Sequence, residues 1–534
     1  MKNCYIILFV LFSVFGSAQE DAWVYFVNKP NAQSYLDNPL TMLSQRALDR
    51  RSAQQIDVNI SDVPIYQPYV DAIDAAPGIE VLAKSKWLNA VHVRGSYDDI
   101  NALPQLFDYV IDIDFADHSL TESRQPTQNL FKPVNKLLDV QANFNYGNSA
   151  NQIQMLNGQY LHQQNFTGAG KIIAVLDAGF PSVDVTAPFQ RLRDNNQILG
   201  GYNFVDDNED FYTRDGHGTM VLSTMGGYVD GQLVGTAPDA GYYLFITEDV
   251  DSETPLEESL WVEAAEAADS LGADVITSSL GYFTYDNPAY SYNYSQMNGV
   301  VSFASRGASA AFSKGMIVVV SAGNSGNTLN PHIGVPADAV EVLTVGAVNP
   351  AGNYASFSSI GPSADGRVKP DVVAQGQSAT VANPFGQITT ASGTSFSGPI
   401  IAGMVASYWQ AEPQLKNYEV VLNIKQSASN YTTPNPQIGY GIPDFQQALR
   451  TPAFASQAGF SVFPNPFNGP IHIALPEGLE SADLTIYDAL GQRVSQNHIG
   501  GAQSQVDLEN LAPGIYFYKI AAANRTQSGK LIKS

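Results

Sequence analysis

The segment Lys171–Phe180, KIIAVLDAGF, runs apolar as far as Leu176 and then ends in an aspartate, an alanine and a glycine. A strand that is apolar on both faces is typical of a parallel sheet covered by helices on both sides. Asp274–Ser278 and Met316–Ser321 repeat this pattern, since each is a buried run that ends in a polar residue. We therefore expect a parallel sheet with a functional site at the carboxyl ends of its strands.

Helices are predicted between and after these strands. Leu256–Leu271 carries apolar residues at helical spacing, and Phe396–Gln410 is a second helical stretch. Strands and helices of this kind alternate over about 300 residues, which predicts an α/β domain. We assign that domain to residues 145–452.

The first residues have the pattern of a Sec signal peptide. Lys2 precedes an apolar run from Tyr5 to Phe15, and Gly16–Ala18 supplies small residues for cleavage. We assign residues 1–18 to this signal, so export is expected. The single cysteine, Cys4, lies inside it. A mature chain without cysteine has no disulfide, so large cores must stabilise it.

Two smaller units are predicted on either side of the α/β domain. Residues 19–125 interleave short strands and helices, which indicates a small α+β domain. The polar stretch 117–129 resembles a linker that proteases cut. Residues 458–534 alternate strand-like runs with turn residues, a pattern typical of a β-sandwich.

Composition excludes some classes of partner. The chain has 51 acidic against 27 basic residues, a formal net charge of −24. No basic stripe is present, so no nucleic-acid partner is expected. No stretch reaches the roughly 18 apolar residues of a membrane-spanning helix, so no transmembrane segment is predicted. We interpret the acidity as a soluble, self-repelling surface.

Three segments carry candidate catalytic side chains. Asp177 ends a buried strand, His217 lies between two glycines at the start of a predicted helix, and Ser395 follows a glycine-containing loop at a helix N-terminus. A serine hydroxyl is a weak nucleophile until a histidine takes its proton, and a carboxylate fixes the histidine's tautomer. The chain order Asp, His, Ser is one of three known orders of such triads.

The motifs around these residues resemble those of the subtilisin-like (subtilase) serine proteases, in the family's order. The resemblance covers about residues 150–450 and implies a subtilisin-like parallel sheet and a serine endopeptidase. It rests on Asp-Ala-Gly at 177–179, Gly-His-Gly-Thr at 216–219, Ser-Ser-Leu-Gly at 278–281, Ser-Ala-Gly-Asn at 321–324, Lys-Pro-Asp at 369–371 and Gly-Thr-Ser-Phe-Ser-Gly-Pro at 393–399. One departure is Ala178, where many members carry a hydroxyl residue.

The same resemblance implies further site residues. Asn324 would donate its side-chain amide to the oxyanion, together with the backbone N–H of Ser395. Ser279, Leu280 and Gly281 would pair with an extended substrate backbone. Gly334 would form the floor of the P1 pocket. These segments contain no charge, so a broad or apolar P1 preference is expected. The tyrosine-rich loop 282–294 fits either a substrate contact or a packed surface covering, and the sequence does not distinguish the two.

The flanking units also have family resemblances. Residues 19–125 resemble a subtilase propeptide, which implies a zymogen. The C-terminal unit is similar to type IX secretion sorting domains, on the segments Phe463–Phe467, Tyr487–Gly491, Leu511–Tyr516 and the lysines at 530 and 533. Protein or peptide substrates and the type IX machinery are the expected partners. The expected location, reached through the periplasm, is the medium or the outer-membrane surface. Release and surface attachment are not distinguished, and a carbohydrate-binding or structural β-sandwich remains the alternative for this unit.

Two alternative functions make different demands on these residues. A sedolisin-like peptidase would use Glu and Asp where this chain has His217 and Asn324, and a catalytically silent binding protein would not need an intact triad. No cofactor is predicted to be required, and no metal ligand is assigned. The acidic run Asp206–Asp210 could hold Ca²⁺, although a solvated acidic loop is favoured over a structural calcium site.

Overall fold

The computed structural model describes residues 19–120 and 144–450, and then residues 461–463, 471–474, 481–488, 492–500, 503–508, 511–512, 514–522 and 525–533. We refer to 19–120 as the N-terminal domain, to 144–450 as the central domain and to 461–533 as the C-terminal domain. The predicted signal peptide (1–18) and residues 121–129 of the predicted linker lie outside the described residues, as do the proposed domain boundaries at 125, 452 and 458.

The central domain is built on a seven-stranded sheet of order β13-β12-β11-β10-β5-β9-β6. All neighbouring strands in it are parallel. The elements are α5 (Ala150–Gln154), α6 (Gln159–Gln163), β5 (Ile172–Asp177), α7 (Gln190–Asp194), β6 (Ile198–Asn203), α8 (His217–Gly226), β7 (Tyr228–Val229), β8 (Leu233–Val234), β9 (Gly241–Ile246), α9 (Leu256–Leu271), β10 (Val275–Ser278), α10 (Phe303–Ser313), β11 (Ile317–Ser321), β12 (Leu343–Val348), β13 (Val372–Gln375), β14 (Ala379–Ala382), β15 (Ile388–Ala391), α11 (Thr394–Ala411), α12 (Asn417–Ser427) and α13 (Phe445–Arg450).

Two apolar cores cover the two faces of this sheet. Ile173 and Val175 of β5 face one core with α8 and α11, while Ala174 and Leu176 face the other with α9 and α10. Successive side chains of a strand point to opposite faces, so a strand buried on both sides must be apolar throughout. The predicted α/β fold is confirmed.

Strand order reverses at β5. The chain runs from β5 to β6 and β9 on one side and then crosses to β10 and onward on the other side. In parallel sheets, such a reversal opens a crevice at the carboxyl ends of the strands. Asp177 ends β5, and Ser279 and Asn324 follow β10 and β11, so all three lie at this edge.

The N-terminal domain contains a four-stranded antiparallel sheet of order β2-β3-β1-β4. It packs on the α9 and α10 side of the central domain, where Trp23 stacks on Phe303 with ring centroids 5.0 Å apart. This arrangement confirms the predicted α+β domain. Its elements are β1 (Gln19–Phe26), α1 (Ala32–Leu36), α2 (Gln45–Gln54), α3 (Gln67–Asp74), β2 (Ile79–Ser85), β3 (Ala90–Ser96), α4 (Tyr97–Leu106) and β4 (Val110–Phe115).

The C-terminal domain contains a three-stranded sheet, β16-β17-β20, and a four-stranded sheet, β19-β18-β21-β22. One apolar core takes Ile473 from the first sheet and Leu484 and Ile520 from the second, as in a β-sandwich. The strands are β16 (Ser461–Phe463), β17 (Ile471–Ala474), β18 (Ser481–Tyr487), β19 (Arg493–Gly500), β20 (Gln503–Val506), β21 (Gly514–Ala522) and β22 (Arg525–Lys533). Among the described residues, no helix has the length and apolar character to span a membrane.

Candidate active site

His217 and Asp177 form a hydrogen-bonded pair at the carboxyl edge of the sheet. His217 is the first residue of α8 and Asp177 is the last residue of β5. The Nδ1 atom of His217 lies 2.7 Å from Oδ1 of Asp177. The same oxygen accepts a hydrogen bond of 2.8 Å from the backbone N–H of Ala178. These contacts fix the imidazole so that its second nitrogen remains available.

A glycine makes this close approach possible. A Cβ atom at Gly218 would lie 2.4 Å from the carbonyl oxygen of Gly179 and 2.9 Å from Cβ of Asp177. No real Cβ tolerates such contacts with backbone, so any other residue would push α8 away from β5. The glycine after the histidine therefore sets the distance between the base and its carboxylate.

The charge of Asp177 raises the pKa of His217 above its ordinary value, and this effect outweighs burial, which lowers it. Asp177 is fully buried, and its second oxygen, Oδ2, has no hydrogen-bond partner among the described residues. The neighbouring Ala178 has no hydroxyl that could supply one.

Ser395 is the second residue of α11, which begins at Thr394 and not at the predicted Phe396. Helix α11 starts earlier because Gly393, at φ 159°, ends the loop directly before Thr394. Among the described residues, the Ser395 hydroxyl forms no hydrogen bond with His217. The two residues are nevertheless near each other, because the ring centroid of His217 lies 6.1 Å from that of Phe396, the residue after Ser395. Catalytic hydrogen bonds often tighten only when substrate binds.

Thr394 and Ser395 connect the start of α11 to the ends of two strands, β11 and β10. The backbone N–H of Thr394 donates a 2.9 Å hydrogen bond to Oδ1 of Asn324, and the hydroxyl of Ser321 donates to the Thr394 carbonyl at 2.8 Å. The hydroxyl of Ser279 likewise donates to the carbonyl of Ser395 at 2.9 Å. Because Oδ1 of Asn324 already accepts the hydrogen bond from Thr394, the exposed Nδ2 of the same amide remains available as a donor beside the start of α11. The sequence motifs did not indicate the connecting role of Thr394.

The predicted substrate-binding residues lie next to this loop. Residues 279–281 follow Ser278, the last paired residue of β10, so their backbone lies beyond the sheet. Tyr282 and Val335 exchange two backbone hydrogen bonds of 2.8 and 3.1 Å. That pairing brings Gly334 beside Tyr282, where an added Cβ would lie 3.1 Å from the Tyr282 carbonyl oxygen. Gly334 thus lies beside the residue that directly follows the segment 279–281.

The tyrosine-rich loop packs against the protein. Tyr285 and Tyr292 each donate a 2.6 Å hydrogen bond from the hydroxyl to Oε1 of Glu258, and both rings are buried. The Tyr290 hydroxyl reaches Glu20 of the N-terminal domain at 3.1 Å. These contacts support the packing interpretation of residues 282–294 that the sequence left open.

The acidic run 206–210 is engaged in local contacts. Arg214 binds Asp206 in a salt bridge of 2.5 Å, and the Tyr202 hydroxyl donates to Asp207 at 2.6 Å. A different group gathers near Asp177: one carboxylate oxygen each of Glu248, Glu253 and Glu257 lie within 4.8 Å of one another. The sequence pattern did not indicate this group, although Glu248 follows β9 at the same edge of the sheet.

The environment of these three glutamates favours the protonated form of their carboxyl groups. Burial raises the pKa of Glu257 to about 8. Burial and the neighbouring carboxylates Glu257, Glu253 and Asp177 raise the pKa of Glu248 as well. Adjacent carboxyl groups in a poorly solvated place cannot all ionise at neutral pH. We assign no cation to them, and the expectation that no cofactor is required stays a prediction.

Three family models match this chain, one for each of its three domains. A family model described as "Subtilase family" matches residues 168–441. A model of the "Peptidase S8 propeptide domain, Bacteroidota" matches residues 21–132, and one of the "Secretion system C-terminal sorting domain" matches residues 461–534.

Individual relatives were also found. Subtilisin NAT from Bacillus subtilis subsp. natto is 30% identical over 302 residues, which are 56% of this chain and 70% of that protein. Subtilisin from Bacillus pumilus is 30% identical over 302 residues and is covered over 98% of its length. The crystal structure of MycP1 from the ESX-1 type VII secretion system matches with 25% identity and a TM-score of 0.44, over 61% of this chain and 91% of that one.

Proposed function

Because the chain belongs to the subtilase family of serine peptidases, we propose that it is an exported endopeptidase in which Asp177, His217 and Ser395 form the catalytic triad. The observation that carries this assignment is the 2.7 Å contact between Nδ1 of His217 and the buried carboxylate of Asp177. A buried carboxylate in this position holds the proton on Nδ1 and leaves Nε2 free to act as a base.

The proposed reaction has two stages. His217 takes the proton of the Ser395 hydroxyl as the oxygen attacks the scissile carbonyl, and then gives it to the leaving amine, which produces an acyl-enzyme. A water molecule repeats the attack, again with His217 as base, and releases the acid product together with free Ser395. Every group that moves a proton is a side chain, so the chemistry itself requires no cofactor.

Asn324 and the backbone N–H of Ser395 are the proposed donors to the oxyanion. The Asn324 oxygen is occupied by the Thr394 N–H at 2.9 Å, which supports a role for Nδ2 as the donor. Fixed donors aimed at a developing negative charge contribute about 3–4 kcal/mol to transition-state stabilisation.

We propose that substrate binds as an extended strand along residues 279–281, with its P1 side chain between this strand and the segment 321–323. Gly334 would form the floor of that pocket. The exposed Gly281 and the unpaired backbone beyond Ser278 support strand addition. Since these segments carry no charged residue, a broad or apolar P1 preference is expected.

The flanking domains are proposed to control where and when the enzyme acts. The N-terminal domain would keep the protease inactive until it is removed. His118, close to the end of the described part of this domain, packs on Tyr292 with ring centroids 5.4 Å apart, so the chain leaves it near the loop that follows the substrate strand. The C-terminal domain would direct the protein through the type IX machinery to the medium or the outer-membrane surface.

Covalent labelling tests the catalytic assignment. A fluorophosphonate probe should label the processed protein at Ser395 in a stoichiometric manner, and peptide mapping should find the label there. The Ser395→Ala variant should not be labelled. Labelling of another serine, or none in a correctly processed protein, would contradict the proposed triad and favour a silent scaffold.

A further inference from the structure

A long segment of the N-terminal domain contacts the central domain at the edge of the sheet formed by the amino ends of its strands. Residues 29–66, which we call the arm, connect β1 to α3 and contain α1 and α2. Backbone N–H of Ser44 donates to the Ser270 carbonyl at 2.8 Å. The Arg46 guanidinium donates to the carbonyls of Gly170 and Gly272, both at 2.9 Å. The arm therefore lies along the end of α9.

The last turn of α2 continues this contact. Nε2 of Gln54 donates to the Gly315 carbonyl at 2.5 Å, and its Oε1 accepts from the backbone N–H of Asn417 at 3.0 Å. Lys416 donates to Oε1 of Gln55 at 2.7 Å. The arm thus binds the central domain at or just before the starts of four elements of its fold: β5, β10, β11 and α12.

A buried network of charges lies at the centre of this contact. The carboxylate of Asp269, on α9, binds both Arg50 and Arg51 of the arm. Arg51 also binds Asp62 at 2.8 Å, and Lys314 of the central domain binds the same Asp62 at 2.8 Å. None of these five side chains is more than 4% exposed. Three of the four ion pairs join the two domains, so separating the domains breaks every pair except Arg51–Asp62.

Burial of the network makes it sensitive to the loss of one member. Burial alone raises the pKa of Asp62, but the hydrogen bond and charge of Arg51 and the charge of Lys314 outweigh it and lower this pKa to about 2. The carboxylate therefore remains ionised over the whole ordinary pH range. Removing one partner of a buried ion pair leaves an uncompensated charge, which is strongly destabilising.

The arm contacts the edge of the sheet opposite to the proposed active site. Gly170, Gly272 and Gly315 precede β5, β10 and β11, at the amino ends of these strands. Asp177, Ser279 and Asn324 lie at the carboxyl ends. The arm cannot obstruct the substrate groove from this position, and cutting the chain after residue 120 would break none of its contacts.

We infer that the arm is a second anchor, which keeps the N-terminal domain bound to the central domain after the connecting segment has been cut. This inference rests on the proposed function, in which the N-terminal domain is the inhibitory propeptide. Release then requires separation of the charge network or proteolysis of the N-terminal domain itself. The time for which the domain stays bound is then set by the arm, at a surface remote from the substrate groove.

Arg50→Met is the most selective test, because the Arg50 side chain bonds to Asp269 and to the Ala273 carbonyl, both in the central domain. The full chain carrying Ser395→Ala is nicked between residues 121 and 143 by limited trypsin digestion, and dissociation of the N-terminal fragment is followed by size-exclusion chromatography. We expect the Arg50→Met fragment to dissociate about 100-fold faster than the fragment with Arg50, the loss expected for a broken buried pair. Ser52→Ala, on the exposed side of α2, is the matched control and should not change the rate.

Two further measurements complete the test. Should Arg50→Met fail to fold, Gln54→Ala removes two hydrogen bonds and leaves all charges, and about tenfold faster release is expected. Added salt at 0.5 M should change the rate less than twofold, since the pairs are buried. Immediate dissociation after the nick, or equal rates for Arg50→Met and Ser52→Ala, would overturn the inference. None of these readouts depends on peptidase activity, so failure of the catalytic proposal would be seen separately.

Discussion

Nδ1 of His217 and Oδ1 of Asp177 lie 2.7 Å apart, although 40 positions separate the two residues in the chain. One residue begins a helix and the other ends a strand, and the glycine after the histidine allows the two elements to meet. The relationship has a measurable electrostatic consequence, because the carboxylate stabilises the imidazolium form.

The first prediction concerns pH. The charge of Asp177 raises the pKa of His217, and the proposed base must be neutral to accept a proton. Activity should therefore rise with pH through a midpoint above 6.5, the ordinary pKa of a histidine. The measurement is kcat/KM on a small peptide between pH 5 and 9. A midpoint at or below 6.5 would mean that the pair does not stabilise the imidazolium form in the free enzyme.

The second prediction concerns the nucleophile and base. Ser395→Ala or His217→Ala should lower kcat by about 10⁶-fold, the magnitude measured for subtilisin itself. Ser397→Ala is the control, because this serine lies in the same turn of α11 and its hydroxyl only donates to the Thr394 carbonyl at 3.1 Å. Retention of a tenth of wild-type kcat in purified Ser395→Ala would exclude the assignment.

The third prediction separates the two ends of the Asn324 amide. Asn324→Ala should lower kcat by about 10²–10³-fold with little change in KM, as expected for loss of one oxyanion donor. Asn324→Asp keeps an acceptor for the Thr394 N–H but lacks the Nδ2 donor, so its kcat should fall at least as far. If Asn324→Asp were nearly as active as wild type, the residue would only hold Thr394 in place.

The fourth prediction concerns release of the N-terminal domain. Glu263 of α9 accepts a 2.8 Å hydrogen bond from the backbone N–H of Lys84, and burial raises its pKa to about 7. In the released central domain we expect the pKa of Glu263 to be near 4.5. At a pH between these two pKa values, binding of the N-terminal domain to the central domain therefore takes up a proton. The affinity of the two domains for each other is greatest at low pH and falls as pH rises through 7.

Dissociation of the nicked chain should accordingly be faster at pH 8 than at pH 5.5, and Glu263→Gln should reduce that difference. Glu266, Lys84 and Asp207 act on the same carboxyl group and contribute to the profile. Glu80→Gln, at an exposed position of β2, is the control and should leave the pH dependence unchanged. A rate that is equal at both pH values would show that Glu263 does not titrate on release.

The fifth prediction separates sorting from catalysis. Deleting residues from about 458 onward should leave kcat/KM of the processed enzyme on a small peptide nearly unchanged, since no proposed catalytic or pocket residue lies there. In a host with type IX secretion, the truncated protein should accumulate in the periplasm. Wild-type amounts in the medium would instead favour a substrate-binding role, detectable as weaker cleavage of large insoluble proteins.

The sequence predicted the fold well because the strands and helices are encoded locally. Leu256–Leu271 is a helix with the predicted ends, and the apolar strands before Asp177 and Ser279 form the sheet. The sequence pattern predicts the start of α11 at Phe396, two residues after its position in the structure. The start is determined by the backbone of Gly393 and Thr394, and not by their hydrophobicity.

Other features could not be predicted from one sequence. In the sequence, three glutamates look like ordinary acidic residues of a loop and a helix, and only the fold brings them near Asp177: Glu248, Glu253 and Glu257. Arg50, Asp62 and Lys314 look like surface charges in the sequence, yet they are buried in one network. The packing of Tyr285 and Tyr292 on Glu258 was equally undetermined.

The sequence by itself determined which residues can carry the chemistry, since strand periodicity and the short glycine motifs specify local geometry over a few positions. The tertiary structure alone decided which distant side chains meet: Asn324 with Thr394, and Arg50 with Asp269 across 219 positions. The physical reason is that the packing of whole elements brings these side chains together: the start of α11 lies against the segment after β11, and α2 packs on the end of α9. Local propensity therefore contains no information about these contacts, while burial and charge pairing in the folded protein determine them.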